Sequence, residues 1–147
     1  MALDIKICGL KTDAAMAAAL AGGASHVGFI FFAKSPRYVE PAEAGRLREA
    51  ARGKAMAVAV TVDAGDAFLD EIVAKMQPDM LQLHGAETPE RVAEVKARYG
   101  LPVMKALPLS EAADLERMKP FIGIADRFPL FRDMLWFEAP LGCAGVP

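Results

Sequence analysis

Cysteine is scarce: Cys8 and Cys143 are the only two among 147 residues, they stand in unrelated contexts, and their spacing fits no metal-ligand pattern. Neither a disulfide framework nor a zinc site is expected. No apolar run approaches the roughly 18 residues that a membrane span requires. The chain also reaches Asp4 and Lys6 too soon for a signal peptide, so it reads as cytoplasmic, with no membrane partner. A surplus of positive charge is missing as well. The formal net charge is −2, with Lys and Arg scattered among Asp and Glu, which excludes a basic field for nucleic acid and marks most charges as solvated helix faces. There is no glycine-rich dinucleotide fingerprint, no Walker sequence and no low-complexity tract. No cofactor and no metal are expected.

What the chain does have is apolar residues, 54% of the total, and in a length suited to one domain they must form a substantial core. The run Ile5-Lys6-Ile7-Cys8 reads as a strand that ends at a thiol and a glycine. Thr12 is a fair N-cap for an alanine-rich helix from Asp13 to Ala21, with Gly22-Gly23 at its end. A buried strand from His26 to Phe31 follows, then the polar loop Lys34-Ser35-Pro36-Arg37-Tyr38 and a helix from about Pro41 to Arg52. The same unit then recurs. Met56 to Val62 is a strand, and Phe68, Leu69, Ile72, Val73 and Met76 mark the inner face of the next helix. Met80 to Leu83 is a strand ending at His84-Gly85, and Thr88-Pro89-Glu90 opens a helix running to about Tyr99. Pro102 to Ala106 is a further strand, Ser110 is expected to cap a helix with Glu111 early in it, and Ile122 to Phe128 is expected to begin a sixth strand.

Strands this apolar, alternating with helices, imply a parallel sheet covered by helices with right-handed crossovers. Two architectures satisfy that pattern: a doubly wound open sheet, which suits the length, and a closed eightfold barrel, which takes roughly 200 to 250 residues. In either one the chemistry belongs at the carboxyl ends of the strands, and several polar groups fall there: Cys8, Lys34 and Arg37, Asp63, His84 and Lys105. Each also has a plainer reading. A lone cysteine is often core, Arg37 can stack on Tyr38, His84 can hold a loop, Asp63 can belong to a turn and helix cap, and Lys105 can be a buried strand lysine paired with a carboxylate.

The motifs Lys6-Ile7-Cys8-Gly9-Leu10, Gly28-Phe29-Ile30-Phe31, Lys34-Ser35-Pro36-Arg37-Tyr38-Val39, Leu81-Gln82-Leu83-His84-Gly85 and Val103-Met104-Lys105-Ala106 together resemble the phosphoribosylanthranilate isomerase family, in order and in spacing. The match runs from about Ile5 to Phe128. The resemblance implies parallel (βα) repeats of a TIM-barrel type, and an Amadori rearrangement of a small-molecule substrate, phosphoribosylanthranilate, in tryptophan biosynthesis, without a cofactor. It also implies that Cys8 is the general base on the sugar C2′ proton and that Arg37 binds the anthranilate carboxylate. Lys34 and His84 are expected to support substrate binding.

The family's acid, an aspartate ending the sixth strand, has no aligned counterpart. Here Arg127-Phe128 is followed by Pro129-Leu130-Phe131-Arg132-Asp133, and later similarity disappears. Asp133 is the candidate for a displaced acid. The expected organisation is an incomplete barrel over residues 1–128, about five βα units plus a sixth strand, with an atypical tail over 129–147 in which Leu130 to Phe137 could form two helical turns. A truncation or a change of reading frame near residue 129 would produce such a departure; a naturally shortened relative is the alternative. On this reading the shortened chain is inactive alone, and its open barrel edges invite self-association, with a homodimer as the simplest form. A non-catalytic half-barrel and a doubly wound binding module are the competing functions.

Overall fold

The computed structural model describes residues 3–127 and 130–132. Its elements run in chain order as β1 (Lys6–Cys8), α1 (Asp13–Ala21), β2 (His26–Phe31), α2 (Pro41–Arg48), β3 (Met56–Thr61), α3 (Asp66–Met76), β4 (Met80–Leu83), α4 (Pro89–Tyr99), β5 (Val103–Lys105), β6 (Leu107–Leu109) and β7 (Leu130–Arg132). Local chemistry sets most boundaries. The Thr12 hydroxyl accepts from the Ala15 amide to start α1, and the Thr88 hydroxyl accepts from the Arg91 amide to start α4, with Pro89 in its first turn. Gly100 closes α4 in the left-handed conformation at φ 63°. Gly45 serves packing instead. A Cβ there would lie 2.2 Å from the Lys75 carbonyl oxygen, so only glycine lets α2 approach α3 this closely.

Five strands pair in parallel in the order β1-β2-β3-β4-β5. Each strand lies beside the next in sequence, so there is no reversal of order and no switch point, which excludes the doubly wound arrangement. The two faces of the sheet are distinct. Val27, Phe29, Ala57, Ala59, Leu81 and Val103 pack in one core with residues of the helices such as Leu47, Leu69, Ile72 and Val92. On the opposite face Ile30, Val58, Val60, Met80 and Met104 form a second cluster, against which Cys8 packs.

That second face is concave. The Lys6 ammonium on β1 hydrogen-bonds the Gln82 side-chain carbonyl on β4, three strands away. A flat sheet would separate those strands by about 14 Å, too far for the two side chains to meet. Arg127, bridged to β5 at Met104, likewise reaches back across the opening to Asp4 ahead of β1, at 2.7 Å. The fold is therefore a set of parallel (βα) repeats curled as in a TIM barrel, incomplete among the described residues.

Four sequence expectations give way here. The second helix stops at Arg48 and passes into a 3-10 turn, Glu49–Ala51, in place of continuing to Arg52. The helix after β5 is a 3-10 helix, Ala112–Phe121, capped by Glu111 and not by Ser110. Glu111 and Asp114 cap each other's backbone amides, Ser110 contributes only its own N–H to Asp114, and Pro120 inside the helix has no donor to continue it. Within the described part of Ile122 to Phe128 strand contact is confined to the end: the Ile124 and Ala125 amides turn back onto the Phe121 carbonyl, with Gly123 at φ 86°, and sheet contact begins at Asp126, whose amide donates to the Val103 carbonyl at 2.8 Å, and continues at Arg127 beside Met104. Finally, Leu130–Arg132 is a strand paired in parallel with Leu107–Leu109, where helical turns were expected; the pairing partner on β6 overrides the local helical pattern. Residues 133–137 of that expectation lie outside the described residues.

Candidate active site

Cys8 is the last residue of β1, half-buried on the concave face at the carboxyl end of the sheet. It stands in register with Gly28 of β2. A Cβ on Gly28 would lie 2.7 Å from the Cys8 Sγ, so the bare glycine makes the space that the thiol occupies. The Gly9 and Leu10 amides both donate to the Gly28 carbonyl, at 2.9 and 3.1 Å, and fix the turn by which the chain leaves the sheet.

Arg37 comes to the same place from the β2–α2 loop. Buried Ser35 organises that loop: its amide donates to the Phe32 carbonyl, its hydroxyl accepts from the Arg37 amide at 3.1 Å, and its carbonyl accepts from Tyr38. The Arg37 side chain then crosses the end of β1, where its Nη1 donates to the Cys8 carbonyl at 3.2 Å. Gly9, at φ 83°, permits this, because a Cβ would meet Arg37 Cδ and Nη1 at 2.7 Å. The Cys8-Gly9 pair therefore supplies both the thiol and the room for the guanidinium. Lys34 lies exposed in the same loop, and Lys11 ties the loop to the end of β1 by donating to the Pro36 carbonyl at 3.0 Å.

His84 follows β4 on the same rim, and its amide donates to the Thr61 carbonyl at 2.8 Å. Its ring Nδ1 lies 3.2 Å from the Gln82 amide nitrogen. Burial, and then the charges of Lys6 and Lys105, push its pKa down to about 4. The imidazole is neutral at pH 7.

Lys105 is structural. Its Nζ is 2.7 Å from Glu87 Oε2 and 2.7 Å from the Gly85 carbonyl, with the two side chains only 2% and 4% exposed. Glu87 also accepts from the Asp63 and Gly85 amides, each at 2.9 Å, while Asp63 accepts from the Ala86 amide. The group ties the loops after β3 and β4 to β5. Asp63 occupies a left-handed turn at φ 47°, as a turn residue rather than a reacting acid. A carboxylate partner for Lys105 is expected from the sequence, but Glu87 carries no mark of that role there, and Lys6 and Gln82 have none of theirs beyond strand alternation, since Lys6 shares a face with Cys8, and Gln82 with His84.

Asp133 and Cys143 lie outside the described residues. Among the described residues no cluster of three His, Cys, Asp or Glu side chains could hold a metal ion, and no helix is long and apolar enough to cross a membrane.

The family described as N-(5'phosphoribosyl)anthranilate (PRA) isomerase matches residues 5–131. An N-(5'-phosphoribosyl)anthranilate isomerase of Mesorhizobium japonicum is 91% identical over 128 residues, which cover 87% of this chain and 58% of that protein. The Brucella canis protein of the same name is 69% identical over the same shares. The chain thus spans 58% of the length of the curated relatives it matches. Among solved structures, a monomeric form of the dimeric phosphoribosylanthranilate isomerase of Thermotoga maritima superposes with a TM-score of 0.79 at 28% identity, over 94% of this chain and 68% of that one. A phosphoribosylanthranilate isomerase in complex with reduced 1-(o-carboxyphenylamino)-1-deoxyribulose 5-phosphate gives 0.78 at 29% identity, over 90% and 65%.

Proposed function

This chain belongs to the N-(5'-phosphoribosyl)anthranilate isomerase family, and we propose that its strand-end rim carries the base and the carboxylate anchor for that family's reaction in tryptophan biosynthesis. The observation that carries the proposal is the hydrogen bond from Arg37 to the Cys8 carbonyl, which holds a guanidinium beside a thiol at the end of one strand. A planar guanidinium matches an aromatic carboxylate in geometry and charge. With the anthranilate carboxylate on Arg37, the ribosyl carbons attached to its nitrogen lie toward Cys8.

The chemistry then asks for two proton transfers. An acid protonates the ribose ring oxygen, the ring opens, and a protonated imine forms between C1′ and the anthranilate nitrogen. The Cys8 thiolate removes the C2′ proton, whose electron pair neutralises the imine, and the resulting enolamine tautomerises to the 2′-ketone. The product is 1-(2-carboxyphenylamino)-1-deoxyribulose 5-phosphate, an isomer of the substrate, so no redox partner is consumed. Neutral His84 and exposed Lys34 take substrate-binding roles on this reading, and Asp133 is the candidate acid by sequence position. Such a reaction belongs to the cytoplasm.

A polypeptide of these 147 residues alone is expected to show no measurable turnover in a fluorescence assay that follows consumption of phosphoribosylanthranilate. A lost general acid costs on the order of a hundredfold to ten-thousandfold, and contacts to a remote phosphate supply binding energy used at the reacting centre. In contrast, a chimera in which residues 5–127 replace the corresponding stretch of the 91%-identical relative should turn over at that relative's rate. An inactive but folded chimera would remove the proposed function. Turnover by the 147 residues alone, lost on Cys8→Ala, would make Asp133 a working acid.

A further inference from the structure

We propose that Lys6 and Gln82 are positioning residues that act through His84: the Lys6 ammonium orients the Gln82 amide, and the amide fixes His84 as the neutral imidazole with its proton on Nε2. The proposal deepens the isomerase reading and rests on it for its functional meaning. The geometry is independent of that reading.

The chain of contacts has only one consistent set of donors and acceptors. An ammonium group donates and never accepts, so the Gln82 atom that Lys6 Nζ meets must be the carbonyl oxygen Oε1. The amide nitrogen, two donors and no acceptor, is thereby turned toward His84, 3.2 Å from Nδ1. A ring nitrogen facing a donor must be the unprotonated one. The remaining proton of a neutral imidazole is then on Nε2. Protonating Nδ1 would set two donors against each other on a buried ring, with Lys6 and Lys105 adding like-charge repulsion, and the downward pull of both lysines on the His84 pKa agrees with this.

Strand alternation makes the arrangement possible. Lys6 and Cys8 share the concave face of β1, and Gln82 and His84 continue that face on and just beyond β4, so the curl of the sheet brings the β1 lysine onto the β4 pair. An imidazole locked in this form carries its one donor on Nε2 and no positive charge. That places it apart from the proton transfers assigned to Cys8 and the acid.

The test is nitrogen-15 NMR of the 147-residue protein, whose two histidines give a simple spectrum and are told apart with His26→Gln. Long-range proton–nitrogen correlations report which ring nitrogen holds the proton. The wild type at pH 7 should show His84 protonated on Nε2 alone. In Gln82→Glu a carboxylate oxygen replaces the amide donor, so His84 should switch to the Nδ1–H form and its titration midpoint should rise by more than about one pH unit. Lys6→Met releases the amide, and both tautomers should appear. His84 protonated on Nδ1 in the wild type, or an unchanged tautomer in Gln82→Glu or Lys6→Met, would overturn the proposal. A correct tautomer beside an inactive chimera would fault the isomerase reading alone, whereas a wrong tautomer beside an active one would fault only the relay.

Discussion

Burial places both histidines in surroundings that resist an imidazolium. His26, buried at the amino end of β2, has its pKa lowered by burial and by the Arg127 charge, and His84 is pushed down to about 4 by burial, Lys6 and Lys105. In the unfolded chain each returns to an ordinary value near 6.5. Below that value the unfolded state therefore binds protons that the folded state refuses, and stability is lost as the pH falls from 6.5 toward the folded pKa; above 7 the two groups have no effect. For His84 the loss should reach about 1 kcal/mol by pH 5.5. Urea midpoints measured between pH 7.5 and 5.5 should fall for the wild type and fall less for His84→Gln. A wild-type midpoint that stays level over this range would show that the imidazoles are not held neutral.

Among the strands of the five-stranded sheet, β1 is the most exposed. It is an edge strand among the described residues, and Ile7 on its helix-side face has 40% of its surface open, with Leu3 and Ile5 in the segment leading into it at 81% and 39%. An edge with apolar side chains and unpaired amides pairs readily with another chain. We expect a polypeptide of these residues to self-associate, with a weight-average mass that rises with concentration in sedimentation equilibrium and returns toward the monomer in Ile5→Lys/Ile7→Lys. A wild-type monomer at all concentrations would exclude this. How well each element could be read from the sequence depended on where its determinants lie. α1 and α4 were legible because Thr12 and Thr88 cap them from the adjoining residue, and β2 to β4 because their apolar runs are continuous. Leu130–Arg132 was misread as helical because its partner, Leu107–Leu109, lies more than twenty residues away in sequence. Ser110 was misread as a cap because Glu111, the next residue, closes a box with Asp114.

At the scale of the whole molecule, the curl of the sheet converts a series of strand ends into a site. Cys8, Arg37 and His84 were legible as rim residues from the βα pattern, but the contact of Lys6 with Gln82 was not, because it exists only when β1 and β4 face each other across a concave surface. Glu87 was hidden for a similar reason: its partners Asp63, Gly85 and Lys105 are supplied by three different strand ends. The central claim is that this rim is an isomerase site in which Cys8 takes the C2′ proton. Its most direct test is the steady-state kinetics of Cys8→Ala in the chimera with the 91%-identical relative. The account predicts a kcat lower by about a hundredfold to ten-thousandfold with KM little changed, since a general base acts in the transition state and not in ground-state binding. A Cys8→Ala chimera with undiminished kcat would contradict it.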